Sequence, residues 1–338
     1  MSQALVNTKA IPPTSASVKP ALKLVKTTSI SHAQWLQVRK SGIGSSDAAA
    51  AVGLHPYKSP LQLWMEKTGR DAALPVVNPN DDHSPMYWGT VLEPIVAGHY
   101  TRRTGRRVRR VNAVLQHPQH AWMLANIDRE VLGSPDVQVL ECKTAGIHGA
   151  RLWREGVPEY VHLQVMHQLA VTGKQAADVA VLLGGQELQL FRIERNPEMI
   201  AQLITLERRF WAYVEQDQAP PADGSDSADL ALRCLYPQDT GATLDLSSDA
   251  QMSAVFDDLL AVRQVISQHS ATENQFKQRI QERMGEATRV LFATGEVSWK
   301  RSKDVTTLDT ARLLKDQPAL AQTYALTKPG SRRFLVQL

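Results

Sequence analysis

Cysteine is scarce in this sequence, because only Cys142 and Cys234 occur among its 338 residues. Two cysteines cannot build a disulfide framework, and they cannot ligate a four-cysteine iron–sulfur cluster. Structural disulfides are typical of oxidising compartments, so the scarcity of cysteine indicates a reducing, cytoplasmic setting.

Long apolar runs are also lacking. No stretch approaches the roughly 18 uninterrupted apolar residues of a membrane-spanning helix, so we expect no membrane association. The N-terminal segment has neither the apolar core of a secretory signal nor an Arg-rich amphipathic pattern. We predict that residues 1–30 form a flexible basic arm, because they include Lys9, Lys19, Lys23 and Lys26 but no acidic residue.

Acidic residues are missing from Val96 to Ala125, whereas six arginines crowd into one short part of that stretch. This arginine cluster consists of Arg102, Arg103, Arg106, Arg107, Arg109 and Arg110. Such a local positive field favours phosphate groups as partners. The alternative is a solvated helix end and turn, where arginine is common.

The order of predicted elements indicates an α/β or α+β domain with a mixed sheet. Helical patterns come first and are followed by a hairpin, a helix, a second hairpin and a last helix. The hairpins and the helix between them are predicted over Trp122–Ile127 with Val137–Lys143, Pro158–Thr172, and Asp178–Leu183 with Leu188–Ile193.

A proline-rich and then acidic segment, residues 218–229, is predicted to be a linker. It separates a domain over residues 31–217 from an extension over residues 230–338. In the extension, Val255, Leu259, Val262 and Ile266 repeat at a spacing that predicts a long helix, or two stacked helices, packed on another helix. The segments GEVSWKRS and RRFLVQL are predicted to be strands. We expect a structural, oligomer-forming or partner-binding role for the extension.

The segment Ala125–Lys143 carries two carboxylates and a lysine in a hairpin-like pattern. A turn centred in Leu132–Asp136 places Asp128 opposite Glu141 across an antiparallel strand pair, roughly 5 Å apart at Cβ. Lys143 shares the face of Glu141, because side chains alternate along a strand. Two carboxylates and an ammonium at one place suit a divalent metal and an attacking water.

Alternating charges also decorate many exposed strand faces, which is the alternative interpretation. Here, however, Glu141 and Lys143 interrupt an apolar alternation that includes Val139. A buried carboxylate pair is costly unless a cation compensates it. Asp136 lies too near the turn to face Glu141, so we prefer Asp128 as the second carboxylate.

Other polar residues are candidates for completing this site. Glu93, on the helix before the arginine cluster, supplies a third carboxylate, or else it is an exposed glutamate paired with one of those arginines. Tyr160, Gln164 and Gln168 recur at helical spacing and form a polar stripe opposite apolar positions. The stripe either faces solvent or hydrogen-bonds to phosphate or to a metal-bound water.

Five segments in order resemble the YqaJ-type viral recombinases, a group of phage nucleases that includes the exonuclease of phage lambda and belongs to the PD-(D/E)xK superfamily. The segments are RKSGIGSSDAAAAVG, WGTVLEP, LANIDREVLG, LECKTA and YVHLQVMHQLAVTG. The resemblance covers about residues 31–216 and implies a restriction-endonuclease-like core, a mixed central sheet flanked by helices. The helical and β-hairpin extension after it has no counterpart in the lambda enzyme.

The resemblance also implies roles for individual residues. Lys143 would hold the attacking water and stabilise charge in the transition state, and Gln164 would support the site from its helix. The implied ligands of Mg²⁺ or Mn²⁺, two ions in all, are Glu93, Asp128, Glu141 and the backbone carbonyl of Cys142.

A second set of residues would contact the DNA and its 5′-phosphate. A glycine-bearing turn that opens a helix presents free N–H groups to an anion, although an ordinary capped helix has the same pattern. The implied set is Arg39, Ser45, Ser46, Arg102, Arg103, Arg106 and Tyr160.

The function implied is a phage or prophage DNA exonuclease in the bacterial cytoplasm. It would degrade linear double-stranded DNA from 5′ to 3′ and leave 3′ single strands for a single-strand annealing protein in recombination. A homo-oligomer in the form of a ring is also implied by the resemblance. The alternatives are an endonuclease of the same fold and a non-catalytic DNA-binding or assembly protein.

Overall fold

The computed structural model describes residues 20–75, 78, 80–328 and 330–337 of the chain. The chain divides into two compact units, Met1–Pro237 and Gln238–Leu338. Residues 1–19 of the predicted basic arm lie outside the described residues. The prediction of a flexible arm is wrong for residues 22–26, because Leu22–Lys26 forms a strand.

The strands of the first unit belong to two mixed sheets. They are β1 Leu22–Lys26, β2 Ile43–Gly44, β3 Arg107–Arg110, β4 Ala113–Gln116, β5 Met123–Ala125, β6 Arg129–Leu132, β7 Val139–Ala145, β8 Ala176–Leu183 and β9 Glu187–Glu194. The central sheet has the order β3-β6-β7-β8-β9, and β7 and β8 are its parallel pair. The smaller sheet has the order β1-β4-β5-β2, and β2 runs parallel to β5.

Helices lie on both faces of the central sheet. The helices of this unit are α1 His32–Lys40, α2 Ala48–Ala51, α3 Pro60–Lys67, α4 Pro85–Thr104, α5 Glu159–Thr172, α6 Pro197–Glu215 and α7 Asp226–Leu235. On one face, Tyr100 of α4 packs in a cluster with Leu140. On the other, Val165 and Leu169 of α5 pack with Val139. Neighbouring residues Val139 and Leu140 therefore point to opposite helical layers, as strand alternation requires.

The α/β architecture with a mixed sheet between helices is confirmed. The helix predicted from Pro158 to Thr172 is α5, which begins after Pro158 and ends where Gly173 adopts a left-handed conformation. The second predicted hairpin is β8 and β9, which are joined through Gly184 and Gly185.

The first predicted hairpin needs one correction. Its first arm was expected over Trp122–Ile127, but β5 in that segment belongs to the smaller sheet. The strand that pairs with β7 is β6, which begins just after Asp128. The segment from residue 122 to 127 has buried apolar residues like a strand of the central sheet, so its composition did not distinguish the two sheets.

The boundary between the two units lies later than predicted. Helix α7 begins inside the predicted linker, and its Ala228 and Ala231 are buried. At the N-terminus of α3, the backbone N–H of Ser59 donates to Ser227 Oγ over 2.8 Å. These contacts attach α7 to the first unit, which extends to Pro237.

The second unit contains the long helix that its apolar spacing predicted. The elements described are α8 Ala250–Met284, β10 Arg289–Phe292, β11 Gly295–Ser298, α9 Thr310–Asp316 and α10 Pro318–Thr323. Strand β11 lies in GEVSWKRS and pairs with β10. The strand predicted in RRFLVQL is not observed over the described residues of that segment. None of the described helices is long and apolar enough to cross a membrane.

Gly42 permits the close contact between β2 and β5, so we expect Gly42→Ala to destabilise the first unit. A Cβ at this position would lie 2.5 Å from the Trp122 carbonyl oxygen and 2.8 Å from Leu124 Cγ. Relieving such overlap typically costs about 1 to 3 kcal/mol. Chemical denaturation should show this loss, whereas Gly98→Ala, in α4 with open space around it, should be neutral or stabilising. Equal effects of the two substitutions would contradict the packing argument.

Candidate active site

The pairing of β6 with β7 brings Asp128 to Glu141. Arg129 pairs with Leu140 and Glu130 with Val139, so the next pair in this register is Asp128 with Glu141. This is the predicted register. The backbone N–H of Cys142 donates to Asp128 Oδ2 over 2.8 Å, which holds the aspartate against β7.

Glu141 is buried, and three donors hold its carboxylate. Lys143 Nζ lies 2.7 Å from Oε1, and Gln164 Nε2 donates to the same oxygen over 2.6 Å. Gln168 Nε2 donates to Oε2 over 2.7 Å. Lys143 also donates to Gln164 Oε1 over 2.9 Å, so lysine, glutamate and glutamine form a closed network.

The polar stripe of α5 therefore faces the sheet, and the solvent-face alternative is wrong for its two glutamines. Gln168 is fully buried, and its Nε2 also donates to the Asn126 carbonyl oxygen over 3.1 Å. Sequence reasoning placed Gln168 in the stripe but did not select it as a site residue. Its position one helical turn after Gln164 was the available signal, because residues at that spacing share a face.

Tyr160 begins the same stripe and lies near Lys143. Burial raises the pKa of Tyr160, and the positive charge of Lys143 opposes this effect. Its ring makes an edge contact with His55, with centroids 5.5 Å apart.

Glu93 lies beside Asp128 and is also paired with arginines. The two carboxylates line one cavity of about 420 Å³, together with Trp35, Arg110 and Asn126 among others. Arg129 Nη1 donates to Glu93 Oε1, and Arg110 Nη2 lies 3.7 Å from the same oxygen. Glu93 is thus both a carboxylate near Asp128 and the partner of arginines, so each of its two interpretations describes part of its environment.

The charges of this site are incompletely balanced. Burial and then the negative charge of Glu141 raise the pKa of Asp128 to about 8. For Lys143, burial favours the neutral amine, but Glu141 outweighs it and raises the pKa of the ammonium. One ammonium thus faces two carboxylates in the interior.

The carboxylates of Asp128 and Glu141 keep acceptor sites that the described hydrogen bonds do not use. Among the described residues, no group of three or more His, Cys, Asp or Glu is arranged to hold a metal ion. Asp128 accepts one of the described hydrogen bonds and Glu141 three polar contacts, whereas a carboxylate has about four acceptor sites. Mg²⁺ commonly takes only one or two protein carboxylates and fills its other positions with water and phosphate.

Cys142 contributes no thiolate to this site. Burial, followed by the charges of Asp128 and Glu141, raises the pKa of its thiol. Only its backbone groups therefore suit the site, the N–H as a donor to Asp128 and the carbonyl as a candidate ligand.

Arg39 and Ser46, the residues implied for a 5′-phosphate, are in contact. Arg39 Nη2 donates to Ser46 Oγ over 3.1 Å and to Asp47 Oδ1 over 2.8 Å. The guanidinium also lies over the Trp35 ring, 5.1 Å from its centroid. Because Trp35 lines the cavity of Asp128, this contact connects the two predicted groups of residues.

A buried ion pair that the sequence analysis missed holds Arg39. Lys67 Nζ donates to Asp47 Oδ2 over 2.7 Å and to the Arg39 carbonyl oxygen over 2.8 Å. Burial would raise the pKa of Asp47, but Arg39 and Lys67 outweigh it and hold this pKa well below its usual range. Asp47 and Lys67 therefore fix both the backbone and the guanidinium of Arg39.

Ser45 lies on the other side of this turn. It is buried, and its hydroxyl lies 3.4 Å from the Asn126 carbonyl oxygen, the same atom that accepts from Gln168. The turn that carries Ser45 and Ser46 is thus joined to the carboxylate site through one backbone oxygen.

The arginine cluster does not form one surface. Arg103 donates to the Leu188 carbonyl oxygen, and Arg106 pairs with Asp178 at 3.7 Å. Asp178 is opposite Leu140 in the sheet, so its side chain points away from the face of Glu141. Arg102 lies nine residues after Glu93 on α4, about 14 Å along the helix axis. The structure therefore does not bring Arg102, Arg103 and Arg106 to the carboxylate site.

The chain is similar to proteins of one viral recombinase family. The YqaJ-like viral recombinase domain matches residues 34–175. The uncharacterized protein YqaJ of Bacillus subtilis strain 168 is 34% identical over 287 residues, which cover 83% of this chain and 87% of that protein.

Solved structures of exonucleases also match part of the chain. An alkaline exonuclease from Laribacter hongkongensis matches 55% of this chain and 93% of its own, at 24% identity and a TM-score of 0.46. A phage related exonuclease from Haemophilus somnus 129PT matches 52% of this chain and 96% of its own, at 9% identity and a TM-score of 0.36.

Behind the glutamines, a fully buried ion pair joins α5 to α6. His167 Nδ1 lies 2.7 Å from Glu207 Oε1, and Nε2 lies 2.9 Å from the Leu124 carbonyl oxygen. Both ring nitrogens face acceptors, which suits the doubly protonated imidazolium. Burial lowers the pKa of His167, but Glu207 outweighs burial and raises it above the ordinary value.

We expect Glu207→Gln to destabilise the protein most at neutral and mildly acidic pH. A raised histidine pKa contributes stability below the ordinary pKa, and this stability is lost as pH rises through the folded-state pKa. Breaking a buried pair costs about 3 to 5 kcal/mol. Denaturation of wild type and variant between about pH 6 and 9 should show the difference in unfolding free energy shrinking toward high pH.

Glu215→Gln is the matched control, because Glu215 is on the same helix and pairs with Arg208 at the surface, 2.9 Å away. Its effect should stay below about 1 kcal/mol at every pH. A Glu207→Gln effect that is constant or grows with pH would contradict the imidazolium assignment.

Proposed function

Because the chain belongs to the YqaJ-like viral recombinase family, we propose that it is a divalent-metal-dependent deoxyribonuclease that degrades linear double-stranded DNA from its 5′ ends. The observation that supports this most is the pair Asp128 and Glu141, with Lys143 fixed beside them. Its products would be 3′ single strands for a single-strand annealing protein, and its working form would be a homo-oligomer.

Asp128, Glu141 and the Cys142 carbonyl would hold Mg²⁺ or Mn²⁺, with Glu93 completing the set for two ions. The bound metal would supply Lewis acidity and lower the pKa of a water. The raised pKa of Asp128 supports such a site, because a pair of buried carboxylates with one ammonium lacks positive charge.

Lys143 would orient the attacking water and stabilise negative charge on the scissile phosphate. Its ammonium is already fixed by Glu141 and Gln164, at 2.7 and 2.9 Å. A preorganised donor needs little rearrangement as charge develops, which is the main source of electrostatic catalysis. Gln164 and Gln168 would act as positioning residues through Glu141.

Arg39, Ser45 and Ser46, with Tyr160 near Lys143, would hold the phosphates at a DNA end. Dependence on an end distinguishes this proposal from an endonuclease of the same fold. Covalently closed circular DNA should stay intact under conditions in which a linear duplex is degraded.

Asp128→Asn, Glu141→Gln and Lys143→Met should each reduce digestion of a 5′-phosphorylated linear duplex in Mg²⁺ at least about 100-fold. Release of labelled nucleotides is the measurement, and chelation of the metal should abolish it. Asp136→Asn is the matched control and should retain activity, since Asp136 lies near the turn and its carboxylate is largely exposed.

Several outcomes would contradict the proposal in different ways. Metal-dependent digestion that survives Asp128→Asn and is lost in Asp136→Asn would show that we chose the wrong aspartate. Cutting of closed circles would favour the endonuclease. Absence of digestion by the folded wild-type protein would favour a non-catalytic DNA-binding protein.

Asp47→Asn should weaken the preference for a 5′-phosphate over a 5′-hydroxyl end, because Asp47 orients Arg39. We expect KM for the phosphorylated duplex to rise about tenfold or more, while kcat changes little, since charge-assisted hydrogen bonds contribute about 1.5 to 3 kcal/mol. Steady-state digestion of the two substrates measures this preference.

Two further variants keep this test decisive. Lys40 follows Arg39 in the sequence and pairs with Asp71, which is more exposed than Asp47. Asp71→Asn removes this partner and should leave the preference intact. If Asp47→Asn unfolds, the combined Asp47→Asn and Lys67→Met substitution removes both buried charges and should still lower the preference. An unchanged preference in the folded variant would overturn the positioning role.

A further inference from the structure

Five basic side chains from distant parts of the sequence line one cavity of the first unit. The cavity has a volume of about 660 Å³. We call it the basic groove, and its cations are Lys23, Lys26, Arg109, Arg110 and Lys174. Lys23 and Lys26 are carried by β1, which pairs with β4 of the smaller sheet. Arg109 and Arg110 belong to β3 at the edge of the central sheet.

The basic groove lies next to the cavity of the candidate active site. The wall shared by the two cavities includes Arg110 and Ile127, and Ile127 directly precedes Asp128. Thr28, Val111 and Asn112 also line both. A polymer bound at Asp128 would therefore have the groove as its neighbour.

Three of the five cations in the groove have an acidic partner among the described residues and two do not. Arg110 Nη2 lies 3.7 Å from Glu93 Oε1. Glu130 is the one acidic residue in its described lining, and it pairs with Arg109 and, at 3.5 Å, with Lys174. Lys23 and Lys26 are exposed and form no ion pair with the described residues. Exposed cations that are not neutralised from within are available to an external polyanion.

We propose that the basic groove binds the phosphodiester backbone of a DNA strand that extends from the active site. This inference rests on the proposed nuclease function, because the groove would hold the part of the substrate or product beyond the scissile phosphate. Lysine and arginine are common donors to phosphate oxygens, and contacts to phosphates carry no sequence information, so we expect binding that is independent of sequence.

The test compares two double substitutions that remove the same number of exposed charges from the full-length protein. Lys23→Gln with Lys26→Gln alters the groove. Lys300→Gln with Lys303→Gln alters two exposed lysines of the second unit, which form no described ion pair. Binding is measured without divalent metal, by fluorescence anisotropy over a salt series, with a single-stranded oligonucleotide and with a 5′-phosphorylated duplex.

Each phosphate contact contributes about 0.7 to the slope of log Kd against log salt for single strands and about 0.9 for duplex. The groove variant should therefore lower the slope by about 1.4 to 1.8, and the control should leave it unchanged. Loss with the single strand alone identifies the single-stranded part as the occupant, and loss with the duplex identifies the duplex. Both results support the proposal.

Equal slopes for wild type and groove variant on both oligonucleotides would overturn the inference. So would equal losses in groove and control variants, which would reflect net charge alone. A changed oligomeric mass with unchanged DNA slopes would assign the groove to a protein interface instead.

Digestion of linear duplex by wild type, measured in parallel, separates this inference from the proposed function. Digestion by wild type, together with equal salt slopes for wild type and groove variant, would contradict only the proposal for the groove. A lower salt slope in the groove variant, without digestion by wild type, would contradict only the nuclease activity. The groove would then remain a DNA-binding site.

Discussion

The buried charge of Glu141 is the constraint on which the arrangement of this site depends. A carboxylate removed from water costs several kcal/mol unless it is well paired and hydrogen-bonded. Lys143 on the same strand and Gln164 and Gln168 on α5 provide that compensation. Two of the three donors come from α5. The geometry of the carboxylate site therefore depends on where α5 lies on the sheet. A shift of α5 would break the hydrogen bonds that Gln164 and Gln168 donate to Glu141.

The end of β5 connects the remaining parts of the site. The Asn126 carbonyl oxygen accepts from Gln168 and lies 3.4 Å from the Ser45 hydroxyl, and the Leu124 carbonyl faces His167. Backbone carbonyls at the end of one short strand thus contact both α5 and the turn before α2. The ion pair of Asp47 with Lys67 then fixes Arg39 beside that turn. The turn that carries Ser45 and the helix that supports Glu141 are therefore joined through the end of the same short strand.

Much of this arrangement was predictable where a local rule determines it. The register of Asp128 with Glu141 follows from a turn and a two-residue period, so an error in the limits of the first arm did not alter it. The helix α5 was equally predictable from its proline start and glycine end. Gln168 was not, because a polar stripe on a helix has the same sequence pattern whether it faces solvent or a buried carboxylate. Lys67 was missed for a related reason, since no spacing rule relates it to Asp47, which is 20 positions away.

The arginine cluster shows why charge density along the sequence is a poor guide to charge density in space. A helix end and an edge strand follow one another there, so consecutive arginines diverge to Leu188, Asp178, Glu130 and Glu93. Three of these partners are acidic residues, which neutralise much of the field that the sequence suggested. The basic groove combines two arginines of this cluster, on β3, with lysines from β1 and from the segment after α5. The pairing of β1 with β4 and the folding of the sheets bring them together next to the cavity of Asp128.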